Sequence, residues 1–421
     1  VAVEQAYMIT GLENPNSVTQ LKQWLKEKGV EIESLSKKSV KSLADETDGD
    51  VSEMLKLRLL MAKTSVKKYE AVIRSVCSDN RVHGMMRFCG ANRTGRWSGN
   101  ILQPQNLPQN HLPDLTLARD IVKDGDFEML DMMFGNVPNV LSELIRTVLI
   151  PKPNHRFIVA DFSAIEARVL AWIAGEQWRI DTFKNGGDIY CASASKMFKV
   201  PVEKHGVNGE LRQKGKISEL ACGYGGSVGA LKNMGAVEMG VQENELQGLI
   251  NDWRNANPHI VRFWYEVGNA AMKAIKEKTT VPLGKLVFAY ERGILFIRLP
   301  SGRRLSYIKP RIGTNRFGGD SITYMGINSA KKWDRLETFG GKLTENIVQG
   351  TARDLLANAL INAANAGYDT VFHVHDEIIC EVPNGYGSVD ELCKLMCIKP
   401  EWADGLPLNA DGFECEYYKK E

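Results

Sequence analysis

The sequence contains no uninterrupted apolar run near the roughly 18 residues that a membrane-spanning helix requires, so no membrane partner is expected. It also lacks a basic amino-terminal start: Val1 to Thr10 carry Glu4 and Gln5, and no secretory leader is expected. The chain opens on Val1 rather than Met, and the expectation is that a further segment lies upstream. Internal repeats and low-complexity tracts are absent. Its 8 cysteines form no CxxC pair and no framework spacing, so free thiols in a reducing compartment are expected. A dominant charge is missing as well. The 53 basic and 51 acidic residues leave +2, which neither argues for a nucleic-acid partner nor excludes one, since a basic cleft can be balanced elsewhere.

What is present is an ordinary globular composition, 43% hydrophobic and 25% charged, over 421 residues, enough for two to four domains at ~100–200 residues each. Ser17 to about Ser75 reads as polar amphipathic helix, with Val18–Lys28 and Val51–Arg74 spaced at three- and four-residue intervals, like an arm on a larger body. Asp79 to Pro113 reads as loop, dense in Gly, Asn, Pro and Gln. Phe157 to Ala160 form a short buried strand, and Asp188 to about Lys278 is mostly helical. Leu286–Tyr290, Ile294–Leu299 and Arg304–Ile308 alternate as strands do. A helix from about Leu343 to Ala366 stops at Gly367, and the strands Thr370–Val374 and Ile378–Val382 follow. Strands on both sides of a helical insertion predict one sheet built from distant parts of the chain.

Four segments carry chemistry. Asp161 ends the apolar strand, where a carboxylate without partners is costly to desolvate. Ser163 and Glu166 have the S-x-x-E spacing of a capping box, so Glu166 reads either as a helix start or as a functional acid. In Phe372-His-Val-His-Asp-Glu-Ile-Ile379, two adjacent acids, Asp376 and Glu377, sit between apolar strands and suit a hard cation such as Mg²⁺. His373 and His375 share a strand face, but nearby Cys or further His partners for zinc are missing. Arg212, Lys216, Leu220 and Tyr224 recur every four residues from Leu211 to Gly225. Two cations so spaced repel each other, which a solvated basic face tolerates and a polyphosphate would relieve, while Tyr224 offers a ring to a base. Finally, a loop rich in amides contains Arg96, Gln105 and Asn106, and Gln349 and Arg353 lie one helical turn apart. Such groups read minor-groove acceptors common to all base pairs.

Together these segments resemble, in order and over nearly the whole chain from about Ser17, the polymerase region of family A DNA polymerases, the group of bacterial DNA polymerase I and many phage replicases. The wording Asp161-Phe-Ser-Ala-Ile-Glu-Ala-Arg168 and Glu345-Asn-Ile-Val-Gln349 is similar to the phage branch. Asp161 and Glu166 match the family's first acidic motif and His375-Asp-Glu377 its second. Arg212, Lys216, Tyr224 and Gly225 match its nucleotide-binding helix, and Arg96, Gln105 and Asn106 its T-G-R…Q-N-x-P loop. The sequence departs from the pattern at Leu220, usually aromatic, at Tyr190, often a phosphate-binding His, and at Ala164, commonly Gln.

The resemblance implies an α+β fold, a right-hand polymerase with an antiparallel palm sheet, helical fingers and a helical thumb. Residues 1–80 would be the thumb, 81–187 the first part of the palm, 188–278 the fingers and 279–421 the second part of the palm. It implies template-directed DNA synthesis from deoxynucleoside triphosphates in phage replication. Asp161, Asp376 and the Phe162 carbonyl would hold two Mg²⁺ ions, with Mn²⁺ able to substitute, and Glu377 would support them. Arg212 and Lys216 would bind phosphates, with Lys216 as acid toward pyrophosphate; Glu166, Tyr190, Leu220 and Tyr224 would surround the nucleotide. Arg96, Gln105, Asn106, Gln349, Arg353 and His375 would touch primer–template DNA. The implied protein is a monomer of the host cell cytoplasm, with any exonuclease domain separate or upstream. The rivals are a single-subunit RNA polymerase, disfavoured by Glu166, and a catalytically silent nucleic-acid clamp, which would need none of Asp161, Asp376, Arg212 or Lys216.

Overall fold

The computed structural model of the chain describes residues 2–61, 67–314 and 318–420, so the middle of the expected helix Val51–Arg74 lies outside the described residues. The fold divides into two compact units, one of Val1–Met85, Gly99–Pro151 and Glu416–Glu421, the other of Met86–Ser98 and Lys152–Cys415.

The first unit is helical. It holds α1 (Ala2–Thr10), α2 (Val18–Glu27), α3 (Lys37–Glu46), α4 (Gly49–Met61) and α5 (Lys67–Ser75), followed by α6 (Leu115–Asp124), α7 (Phe127–Phe134) and α8 (Val137–Leu144). Ser17 starts α2 by accepting from the Gln20 amide, which satisfies a free N–H of the first turn. Against the expectation of a solvated arm, these helices have a core of their own. Leu21, Trp24 and Leu25 of α2 pack with Met54 and Leu55 of α4, each worth about 1.5–3 kcal/mol on burial. Helices α6 to α8 lie between the expected loop ending at Pro113 and the expected strand starting at Phe157. Asp114, Asp126 and Asn136 cap them in turn, each accepting from the amide three residues on.

The second unit is built mainly on a four-stranded and a six-stranded sheet. The short strands β1 (Met86–Arg87) and β2 (Ser98–Gly99) precede β3 (His155–Phe162). The helices α9 (Ile165–Ala174), α10 (Gln177–Lys184), α11 (Ile189–Phe198), α12 (Leu211–Cys222), α13 (Val228–Asn233), α14 (Leu246–Ala256) and α15 (Pro258–Glu277) follow. Then come β4 (Thr280–Leu283), β5 (Leu286–Glu291), β6 (Ile294–Arg298), β7 (Arg304–Thr314), β8 (Asp320–Ile327) and β9 (Trp333–Thr338), which pair in sequence as an antiparallel six-stranded meander. Turns between neighbours let each strand find its partner locally, and β4 and β9 are the open edges of this sheet. The chain continues through α16 (Gly340–Asn365), β10 (Asp369–Val374), β11 (Glu377–Pro383), α17 (Val389–Met396) and β12 (Ala410–Cys415). The smaller sheet, in the order β10-β11-β3-β12, is the one assembled from distant segments. Its apolar residues Ile158, Ala160, Ile378 and Cys380 share a core with Val348, Leu355 and Leu356 of α16. The meander packs Leu295, Ile297, Tyr307 and Tyr324 on α15 and α16, with Phe263, Val267, Leu343 and Ile347 between them.

Candidate active site

The site begins where β3 ends. β3 is central in the smaller sheet, and its register places Asp161 directly opposite Glu377 of β11 on one side and Asp411 of β12 on the other. The β10–β11 hairpin turns through His375 and Asp376, since Val374 pairs with Glu377. His375 takes a left-handed conformation, φ 56°, to make this two-residue turn, and the Phe162 amide donates to the Asp376 carbonyl at 3.4 Å. Four acids thus gather at one end of a sheet. Carboxylates are hard oxygen donors of the kind that suits Mg²⁺.

The capping-box reading of Glu166 is overturned. The N-cap of α9 is Ala164, in a left-handed conformation with φ 51° and no side-chain cap. Ser163 instead donates to the Asp411 carboxylate and accepts from Asn409 Nδ2 at 3.2 Å. Glu166 is freed for other partners: Arg96 Nη1 donates to it at 3.1 Å and the Tyr224 hydroxyl at 2.8 Å. Burial, and then the Glu166 charge, pushes the Tyr224 phenol well above its ordinary range, so it remains the donor.

Helix α12 ends at Cys222, two residues before Tyr224. Gly341, at the start of α16, has no room for a β-carbon against the Tyr224 carbonyl, so the loop after α12 is fixed by contact with α16. Gly215 lies likewise against the Tyr190 carbonyl and lets α12 approach α11 closely. The repulsion expected between Arg212 and Lys216 is already relieved within the protein. Asp188 caps α11 through the Tyr190 and Cys191 amides and also binds Arg212, at 2.9 Å to Nε and 2.8 Å to Nη2. Burial works against the Asp188 charge, but the Arg212 and amide hydrogen bonds outweigh it and hold the carboxyl below its ordinary range. The Tyr190 ring lies under the Arg212 guanidinium, 5.2 Å away. Lys216 has no ion-pair partner among the described residues.

Between these elements is a cavity of about 330 Å³, lined by Glu166, Tyr190, Leu220, Tyr224 and Asp376, with Arg179 and Glu219 on its wall. Leu220 is half-exposed, at 51%, so this position does face away from the core.

The chain belongs to DNA polymerase family A. The family model matches residues 2–399. The DNA polymerase of Bacillus phage SP02 is 54% identical over 422 residues, covering 100% of this chain and 65% of that protein. The thermostable DNA polymerase I of Thermus aquaticus is 27% identical over 265 residues, 62% of this chain and 27% of that one. A solved structure, the POL domain of Pol1 from M. smegmatis in complex with DNA primer-template and dNTP, superposes with a TM-score of 0.66 at 20% identity over 99% of this chain and 63% of its own. The α+β expectation and the family A polymerase fold are thus found. The chain spans less than two thirds of the length of both the phage and the mycobacterial protein.

The residues expected to touch DNA in this family A member come from several segments of the chain. Arg353 is buried beneath the Thr94–Trp97 loop rather than presented on a surface. Its Nε donates to the Gly95 carbonyl at 3.0 Å, and its guanidinium lies 4.3 Å from the Trp97 ring centroid. It thereby holds the loop that carries Arg96. Gln349, one turn earlier on α16, stays half-buried, and His375 is exposed at its turn. Gln105 and Asn106 belong to the first unit, in a 3-10 turn Pro104–Asn106. His373 packs edge-on to Trp97 at 4.9 Å, and among the described residues the three-ligand cluster is Cys77, Asp79 and His83, on the surface of the first unit. Two features escaped the sequence reading. One is Asp411, whose only signal is its pairing with a strand 250 residues away. The other is the buried pair Arg179–Glu219, at 2.5 Å, with Ser193 and Trp253 also donating to Glu219.

Proposed function

We propose that the chain carries out template-directed DNA synthesis, adding deoxynucleoside triphosphates to a primer 3′-hydroxyl with release of pyrophosphate. The observation that carries this reading is the register that sets Asp161 opposite Glu377, at the turn that carries Asp376, and Asp376 lines a cavity with Glu166, Leu220 and Tyr224. Asp161, Asp376 and the Phe162 carbonyl would hold two Mg²⁺ ions, for which Mn²⁺ can substitute. When bound, such a pair activates the 3′-oxygen and stabilises the leaving pyrophosphate.

The chain's own groups do the rest. Glu377, almost fully buried, supports Asp161 from the neighbouring strand. Arg212 and Lys216 bind the triphosphate, and Lys216 gives its proton to the pyrophosphate oxygen. Arg212 must exchange Asp188 for a phosphate to do so. Glu166, held by Arg96 and Tyr224, occupies the space beside the sugar 2′ position and excludes a hydroxyl there. Leu220 and Tyr190 contact the sugar and phosphates from α12 and α11. Arg96, Gln105, Asn106, Gln349 and His375 contact the primer–template. No helix among the described residues is long and apolar enough to cross a membrane, and the reading places a monomer in the host cell cytoplasm during phage DNA replication.

The test is Asp161→Asn or Asp376→Asn in a primer-extension assay with a parallel binding measurement. Extension is expected to fall by several orders of magnitude while primer–template affinity stays within about threefold, since the duplex is gripped elsewhere. Wild-type turnover in either variant refutes the assignment.

A further inference from the structure

The meander β4–β9 concentrates charge that the whole chain does not have. Thr280 to Thr338 contain eleven basic and four acidic residues, net +7, in a chain whose total is +2, so everything else sums to −5. One face of this sheet packs on α15 and α16, and the other is open to solvent. Cross-strand register puts Arg298 of β6 directly opposite Arg304 of β7 on the open face, both exposed. Two like charges so placed destabilise a sheet, and a local conflict of this kind marks a surface with another use. Arg304 is partly compensated by Glu291 at 3.1 Å and lies 4.2 Å over the Phe296 ring. Arg298 and Arg311 have no ion-pair partner among the described residues.

The same face is not simply charged. Phe296 lies between the arginine row and Ile308, and Trp333, 57% exposed, stands on the edge strand β9. Arginines alone would suit a duplex, whose bases are hidden. Flat apolar side chains set among arginines suit a strand whose bases are free to stack, at about 1–3 kcal/mol per base.

We propose that the solvent face of the six-stranded sheet is a second nucleic-acid surface, which takes single-stranded DNA, with Arg298, Arg304 and Arg311 on the phosphates and Phe296 and Trp333 under the bases. An unpaired length of template or a displaced strand is the chemistry it fits. This goes beyond the synthesis reaction and does not use its residues.

The experiment measures anisotropy of a fluorescein-labelled oligothymidylate with the intact chain, in the presence of saturating unlabelled hairpin primer–template that fills the polymerisation site. Wild-type protein should still bind the oligothymidylate, with affinity falling steeply as salt rises. Arg298→Glu with Arg311→Glu should weaken this binding about tenfold or more and lower the salt slope by about 1.4, the loss of two phosphate contacts. Extension of the hairpin should be unchanged, which separates this result from any failure of the synthesis reading. Arg298→Glu also creates an opposite-charge pair with Arg304, so melting temperature should hold or rise and a folding defect cannot imitate the loss. Phe296→Ala should weaken binding severalfold without altering the salt slope. Abolition of oligothymidylate binding by the hairpin, or wild-type binding by the charge-reversed protein, overturns the proposal. So does a charge-dependent surface that is indifferent to Phe296→Ala and from which polyglutamate displaces the oligothymidylate. That outcome identifies a docking face for an acidic protein segment instead.

Discussion

Glu166 shows how one residue's function depends on partners far away in sequence. Its S-x-x-E spacing is compatible with a cap, but Ala164 takes the capping position and Ser163 turns to Asp411. Removal of Glu166 leaves the Arg96 guanidinium and the Tyr224 hydroxyl without their acceptor. For Glu166→Ala we expect ribonucleotide discrimination, read as the ratio of kcat/KM for deoxy- and ribonucleotides, to fall by about 10–200-fold. Stability should drop by about 1–3 kcal/mol from the unsatisfied groups. A fall in stability with an unchanged sugar preference would assign Glu166 a purely structural part. His373 makes a different case. Burial, and then the Arg353 charge, lowers its imidazole to about 4. The unfolded chain takes up a proton near the ordinary 6.5 that the folded chain refuses, so stability is fully present above pH 6.5 and is lost as pH falls toward 4. The loss is about 3 kcal/mol at this one site. Denaturation curves at pH 7 and pH 4.5 should therefore converge in a His373→Gln variant relative to wild type. At this scale the acids were the legible part. Asp161, Asp376 and Glu377 interrupt apolar strands, a pattern visible locally, whereas Asp411 sits in an unremarkable sequence and joins the site only through the pairing of β12 with β3.

Helix α12 is the element that joins the cavity lined by Glu166 and Tyr224 to the surrounding helices. One stripe carries Arg212, Lys216 and Leu220, and another carries Glu219 into a buried cluster. Arg179 and Glu219 are both nearly inaccessible, Trp253 Nε1 donates to Glu219 at 2.8 Å, and Asn257 accepts from Arg179 at 3.0 Å. The stripe was readable from four-residue spacing. The cluster was not, because its members come from α10, α11, α12 and α14 and each looks like an ordinary surface charge or core aromatic in its own segment. Breaking one half of such a pair strands the other charge in the interior. Glu219→Ala should cost about 3–5 kcal/mol in chemical denaturation. Because Glu219 neighbours Leu220 on the cavity wall, nucleotide KM should rise more than kcat falls. If kcat fell alone, α12 would not be the element being loosened. The short helices α6 to α8 illustrate the opposite failure of sequence pattern. Phe127, Met129, Met132 and Met133 of α7 are exposed, so its apolar residues show no single buried stripe even though Asp126 caps it cleanly.

At the scale of the whole molecule, cohesion comes from packed apolar cores rather than covalent links. All eight cysteines are free, and their environments differ sharply. Cys77 and Cys89 are exposed, whereas Cys191, Cys222 and Cys380 are buried in the second unit. Burial pushes the Cys222 thiol up to about 12 and the Cys380 and Cys393 thiols to about 11. Only the thiolate reacts, so at pH 7.4 fewer than about one in a thousand of these three groups is reactive even when reagent reaches them. Reaction of the native protein with a chromogenic disulfide should therefore show a fast phase of two equivalents, from Cys77 and Cys89, well separated from the rest. The slow thiols should become reactive together with unfolding, reaching eight in denaturant. Addition of reductant should leave the melting temperature unchanged, because no crosslink is present to be cut. Fast labelling of Cys222 or Cys380 in the native protein, located by peptide mapping, would mean that the core around β3, β11 and α12 opens on the labelling timescale. The acids at the end of β3 would then lack the rigid support on which their alignment depends.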